Sequence, residues 1–199
     1  MTKPIDLAGL IGSRICHDII SPLGAVGNGV ELMVLSGQNE TPEFELVKES
    51  IESANLRIKF FRVAFGLAHP GQTVSRSDIM MLTKAATTGG RLHVVWPVEN
   101  GLPRTEVKRI LLGLLCLEHL LPGGGTITVS PAGADRWTLL AEGPKVKDAP
   151  HLSVALRSEA HDDSLAAAEV QFTLLRMEGE VAGLPPELVV NEGGLMLTV

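Results

Sequence analysis

Residues 5–35 read IDLAGLIGSRICHDIISPLGAVGNGVELMVL, and the fold is decided there. With each residue advanced by 100°, Leu7, Ile11, Ile15, Ile19, Val26 and Val30 fall on one face, the signature of an amphipathic helix. The apolar spacing continues to Met33 in spite of Pro22 and three glycines, which predicts one long helix. Residues 36–42 are polar, and Thr41 at an N-cap position is followed by Pro42 and the acidic Glu43 and Glu45, so a second helix begins. Its apolar positions, Phe44, Val47, Ile51, Ala54, Ile58, Phe61 and Phe65, alternate by three and four like a bundle seam.

Two helices with a short connection make an antiparallel hairpin, and one hairpin leaves much of that seam uncovered. A second copy covering it as a four-helix bundle predicts a homodimer. Another apolar stripe, Leu56, Phe60, Val63 and Leu67, requires something else to pack on the end of the second helix.

The hairpin domain spans residues 1–70. Residues 69–76 read as a linker, and a second domain, 77–199, reads as helix 78–87, strand 91–96, helix 104–121 and strands 126–130 and 137–142. A short helix after Pro150, a helix over 164–177 and strands near Leu188 and Leu195 follow. Helices on one face of a mixed sheet make this an α+β sandwich, so the whole chain is an α-helical hairpin joined to an α/β sandwich.

On the helical wheel His17 points away from the apolar stripe, beside Ser13, Ser21, Gly24, Asn28 and Glu31. An exposed imidazole titrates near about 6.5 and keeps a free ring nitrogen at neutral pH, which makes it a competent phosphoryl nucleophile. Asp18 follows directly, and its short carboxylate can reach the neighbouring ring to fix a tautomer or accept a proton. Pro22 removes the hydrogen bond to the Asp18 carbonyl and predicts a bend.

Each glycine costs roughly 1 kcal/mol relative to alanine in a helix. Gly24 on the histidine's own face therefore suits close docking of another protein, with Arg14, Asn28 and Glu31 as polar contacts. A solvated histidine above the end of a short helix is the plain alternative; the continued periodicity and the seam weigh against it.

The string His17-Asp18-Ile19-Ile20-Ser21-Pro22-Leu23 resembles the H-box of sensor histidine kinases. The wider context, from Ile15-Cys16 through Gly27-Asn28-Gly29-Val30-Glu31-Leu32, is similar to the ChpT family of histidine phosphotransferases. The resemblance implies a dimerising hairpin and a degenerate, Bergerat-like kinase ATP-binding domain. It also implies transfer from the receiver aspartate of a hybrid histidine kinase to His17, then to response-regulator receivers, with Asp18 as acidic neighbour. No cofactor is expected on this chain, since Mg²⁺ in such exchanges belongs to the receiver.

A kinase's Mg²⁺-holding Asn would fall at about Cys116, whose neutral thiol suits that hard cation poorly. Glu142-Gly143-Pro144-Lys145 stands where the nucleotide-binding glycine loop would be, without its Asp. Gly123 to Gly125 lack a following Gly-Lys-Ser/Thr and read as a turn. An ATP-using kinase is thus disfavoured; a non-catalytic adaptor or kinase inhibitor using the same hairpin face is the other alternative.

The net charge of −6 is dispersed and no basic patch forms, which argues against nucleic acid. Only Cys16 and Cys116 are present, no apolar leader opens the chain and no apolar run spans a bilayer, so a cytoplasmic protein without membrane insertion is expected. His69, His93, His119, His151 and His161 show no ligand spacing, so no metal site is expected. Trp96 and Trp137 read as core or edge packing.

Overall fold

A computed structural model describes residues 14, 15, 18, 19, 22–26, 28, 29, 32, 33, 42–87, 91–158, 165–191 and 194–199. Every described residue before position 34 is helical. Helix α1, Pro42–Ala64, begins on its proline with Glu43 and Glu45 in the first turn and Arg62 in the last, the charge order that the helix dipole favours. Thr41, expected to cap it, lies outside the described residues.

The single apolar seam expected along α1 divides in burial. Val47, Ala54 and Phe61 are buried, whereas Phe44, Ile51 and Ile58, one heptad apart, remain 39, 44 and 46% exposed. Phe60 and Val63 of the second stripe are buried in the core that follows. Leu67 is not: it is 79% exposed, because the helix has ended at Ala64 and the stripe cannot continue.

The segment expected as a bare linker carries a strand. β1, Thr73–Val74, pairs antiparallel with β3, Leu102–Pro103. Arg104, which opens the long helix behind β3, donates to the carbonyl of Arg62, an acceptor orphaned in the last turn of α1, and to that of Leu67 beyond the helix.

Helix α2, Arg76–Ala86, is capped by Ser75, whose hydroxyl accepts from the Asp78 amide at 3.1 Å. The main sheet contains β2 (Leu92–Val95), β4 (Gly125–Gly133), β5 (Arg136–Glu142), β6 (Glu187–Asn191) and β7 (Gly194–Thr198), in the order β2-β4-β5-β7-β6. Only β2 and β4 are parallel; the other neighbours are antiparallel.

Leu92, Val94, Ile127, Val129, Leu139, Ala141, Leu195 and Leu197 alternate onto one buried face of the sheet. Across that face lies α3, Arg104–Leu120, buried nearly all round by the sheet and by α1, α2 and α5. At Gly113 the approach is tight: a Cβ there would stand 3.0 Å from Leu139 and 3.4 Å from Leu197. Trp96 is buried and stands edge-on to Trp137, whose indole N–H donates to Glu106 at 2.8 Å, so both pack as expected.

The remaining helices are α4, Pro150–Ala155, and α5, Val170–Ala182, the latter preceded by a 3₁₀ turn at Ala167–Glu169. The expected helix 164–177 is therefore displaced toward the C-terminus.

Candidate functional site

The wheel face on which His17 falls is sampled by two described residues. Gly24 and Asn28 are both exposed, and a Cβ on Gly24 would meet nothing within 4 Å. The opposite side of the same helical stretch is closed: Ile15 packs against the core, and a Cβ on Gly29 would fall 2.1 Å from Val47 Cγ2 and 3.2 Å from the Glu43 carbonyl oxygen. Gly29 thus lets the backbone approach α1 closely, while Gly24 leaves an open surface. His17, Ser13, Ser21 and Glu31 lie outside the described residues. Pro22 is helical and half-buried.

Asp18 is the point of densest charge. Arg14, one turn earlier, approaches its Oδ2 at 2.9 Å, and Arg57 of α1 donates to the same oxygen at 3.1 Å. Arg57 Nη2 also reaches Glu118 Oε2 of α3 at 3.3 Å, while its guanidinium lies 5.0 Å above the Phe61 ring and 5.6 Å above Phe60. Arg14, Asp18 and Arg57 side chains are only 11–12% exposed. Arg14, expected among the partner contacts, is accordingly turned toward Asp18 rather than presented on the open face. The charges of Asp18, Arg57 and Glu118 come from three separate elements, which hides the network from any local sequence pattern.

Two residues before Glu118 on α3, Cys116 is buried and burial pushes its thiol well above the usual range, so the sulfur is a neutral thiol. Two amides of the Gly123–Gly125 turn are taken by backbone carbonyls: Gly124 donates to Leu121 and Gly125 to Arg91, both at 2.9 Å. Gly143 lies against the Gly124 backbone, where a Cβ would be 2.4 Å from its carbonyl oxygen. The turn therefore closes the sheet end, as its lack of a Gly-Lys-Ser/Thr continuation predicted.

The histidines with no ligand spacing in sequence are partly gathered by the fold. His119 and His151 each bring Nε2 to 3.4 Å from Glu169 Oε1, and Lys147 Nζ lies 2.7 Å from His119 Nε2. Among the described residues no group of three or more His, Cys, Asp or Glu side chains that could hold a metal ion is found. Burial first, and then the Lys147 ammonium, hold His119 below its ordinary value. Burial would raise Glu169, but the Ala166 amide and the two imidazoles outweigh it and keep the carboxyl below the usual range. His161 lies outside the described residues.

Comparisons with known proteins agree on one lineage. Residues 76–193 match the family described as histidine phosphotransferase C-terminal domain. Over 181 residues the chain is 33% identical to the protein phosphotransferase ChpT of Brucella abortus (strain 2308), covering 87% of this chain and 86% of that one. A solved bacterial phosphotransferase superposes with a TM-score of 0.80 at 28% identity, over 100% of this chain and 97% of its own. The Erythrobacter litoralis EL346 blue-light activated histidine kinase is far looser, with a TM-score of 0.42 and 14% identity over 74% of this chain and 52% of its own. Among the described residues no helix is long and apolar enough to cross a membrane.

Proposed function

Because this chain belongs to the ChpT-type histidine phosphotransferases, we propose that His17 is the residue through which it passes phosphoryl groups. The protein is a histidine phosphotransferase of a phosphorelay. The donor is the phosphorylated receiver of a hybrid histidine kinase, and the acceptors are response-regulator receivers. The observation that carries the assignment is the open face at Gly24 and Asn28, the wheel face on which the sequence spacing puts His17.

A phosphoaspartate is an acyl phosphate. The lone pair of a neutral imidazole nitrogen attacks phosphorus, the P–O bond to the receiver aspartate breaks, and its carboxylate leaves with the electron pair. The ring becomes cationic, and a carboxylate beside it stabilises the proton on the other nitrogen. Asp18 fits that role by its adjacency. The reverse sequence returns the group to a second receiver. Mg²⁺ resides on the receiver and no nucleotide is consumed by this chain, a reading supported by the neutral, buried Cys116 thiol and by the glycine turn whose Gly124 and Gly125 amides are taken by backbone carbonyls.

The half-exposed heptad row Phe44, Ile51 and Ile58 is the surface a second copy would cover, giving a homodimeric four-helix bundle from residues 1–70, with 77–199 as the kinase-like domain. A cytoplasmic location follows from the phosphoaspartate partners. Incubation with a phosphorylated receiver should label the protein, and His17→Ala should abolish the label. Label that survives the substitution removes His17 from the mechanism.

A further inference from the structure

We propose that Arg57 is a positioning residue for the phosphotransfer step, a reading that rests on His17 as the acceptor. A carboxylate can assist the neighbouring imidazole only if its own orientation is restricted, and an aspartate on a helix surface samples several rotamers. Arg14 restrains Asp18 from one turn away on the same stretch, a geometry that is weak in water. Arg57 adds a restraint of a different kind. It arrives from a second helix, and its planar guanidinium lies against the Phe60 and Phe61 rings, so its donors are oriented before Asp18 meets them.

Glu118 completes the arrangement from α3. It takes the same Nη2 of Arg57 at 3.3 Å that Asp18 takes at 3.1 Å, so the guanidinium is held from two sides. Arg14 and Arg57 balance Asp18 and Glu118 in charge, and the three side chains nearest the hairpin are only 11–12% exposed, which limits screening by water. The chain of contacts runs from α3 through Arg57 to the residue beside His17. Packing of α3 on the hairpin thereby sets the geometry of the reacting end, without Arg57 touching the phosphoryl group.

Single-turnover transfer from a receiver phosphorylated with acetyl phosphate in Mg²⁺ tests this, using the full chain and varied receiver concentration. Arg57→Ala should lower the maximal rate about tenfold, a part of what general acid–base assistance supplies, and leave the half-saturating receiver concentration within about twofold. Arg57→Lys should recover part of the rate. In an Asp18→Asn background Arg57→Ala should have no further effect, because both substitutions remove the same restraint.

Glu118→Gln, which keeps the side chain's shape, should slow transfer severalfold and carries the test with Arg57→Lys if the alanine variant does not fold. Wild-type maximal rates in these variants, or an undiminished Arg57→Ala effect in the Asp18→Asn background, would overturn the proposal with His17 untouched. A His17→Ala control that labels like wild type would instead overturn the acceptor assignment, and this proposal with it.

Discussion

Two glycines in the first helical stretch should respond to the same substitution with opposite signs. At Gly29 an added methyl would stand 2.1 Å from Val47 Cγ2 and 3.2 Å from the Glu43 carbonyl oxygen. Val47 is buried and β-branched, so its methyl has little rotameric freedom to withdraw, and the carbonyl belongs to the backbone of α1. Overpacking of this kind costs about 1–3 kcal/mol. The gain in helix propensity on replacing glycine by alanine returns roughly 1 kcal/mol. Gly29→Ala is therefore expected to destabilise the protein by about 1 kcal/mol net.

At Gly24 the methyl meets nothing within 4 Å, and only the propensity term operates, a gain of up to about 1 kcal/mol. For a chain of this length 1 kcal/mol shifts Tm by about 2–4 °C, so the two variants should bracket the wild type with a separation of about 4–8 °C. Thermal unfolding followed by far-UV circular dichroism, at one fixed protein concentration, measures this. Gly24→Ala should also raise the receiver concentration needed for half-maximal phosphotransfer, since it decorates the docking face, and so gain stability while losing affinity. Gly29→Ala melting above the wild type, or Gly24→Ala melting below it, would refute the close-approach and open-face assignments.

The Glu169 cluster makes stability fall on acidification. His119 sits below its ordinary 6.5 in the folded chain, so between its folded and unfolded values the unfolded state binds more protons, and Tm should drop as pH falls from about 6.5. Glu169, held below its ordinary 4.5, adds a loss of the same sign at lower pH, and His119→Gln should flatten the first part of the profile in a pH series of melts. An unchanged slope in that variant would remove His119 as its source. Replacing Ile51 and Ile58 together by Glu puts charge on the half-exposed heptad row, and should raise the dimer dissociation constant by about a hundredfold or more in sedimentation while helicity persists. A dimer of undiminished affinity would place the interface elsewhere.

Periodicity made the regular parts legible, and long-range contact hid the rest. The expected helix 104–121 is found as Arg104–Leu120, because an apolar residue on every face is a signal that burial on all sides explains. Apolar spacing located the seam of α1 but did not separate its buried members, Val47, Ala54 and Phe61, from the exposed Phe44, Ile51 and Ile58. The second stripe breaks off before Leu67 because apolar spacing persists in sequence after the chain has left the helix at Ala64. The pairing of Thr73–Val74 with Leu102–Pro103 is too short to show alternation, and so passed as a linker.

At the site, spacing alone put Gly24 and Asn28 on one face, and both are exposed. The engagement of Asp18 by Arg57, and of Arg57 by Glu118, joins residues 39 and 61 positions apart and has no local signal. The same holds for His119, His151 and Glu169, which look unrelated along the chain and meet only where the 3₁₀ turn before α5 passes the end of α3.

On the proposed mechanism the phosphoryl group resides on His17. Mass-spectrometric mapping of the full chain after a brief exposure to a phosphorylated receiver, with acid avoided throughout because a phosphoramidate hydrolyses in acid, addresses it directly. One modified peptide is expected, with the phosphate on His17, which loses its label when a second unphosphorylated receiver is added. Phosphate on any other residue, or a His17 label that a second receiver cannot remove, would contradict that mechanism.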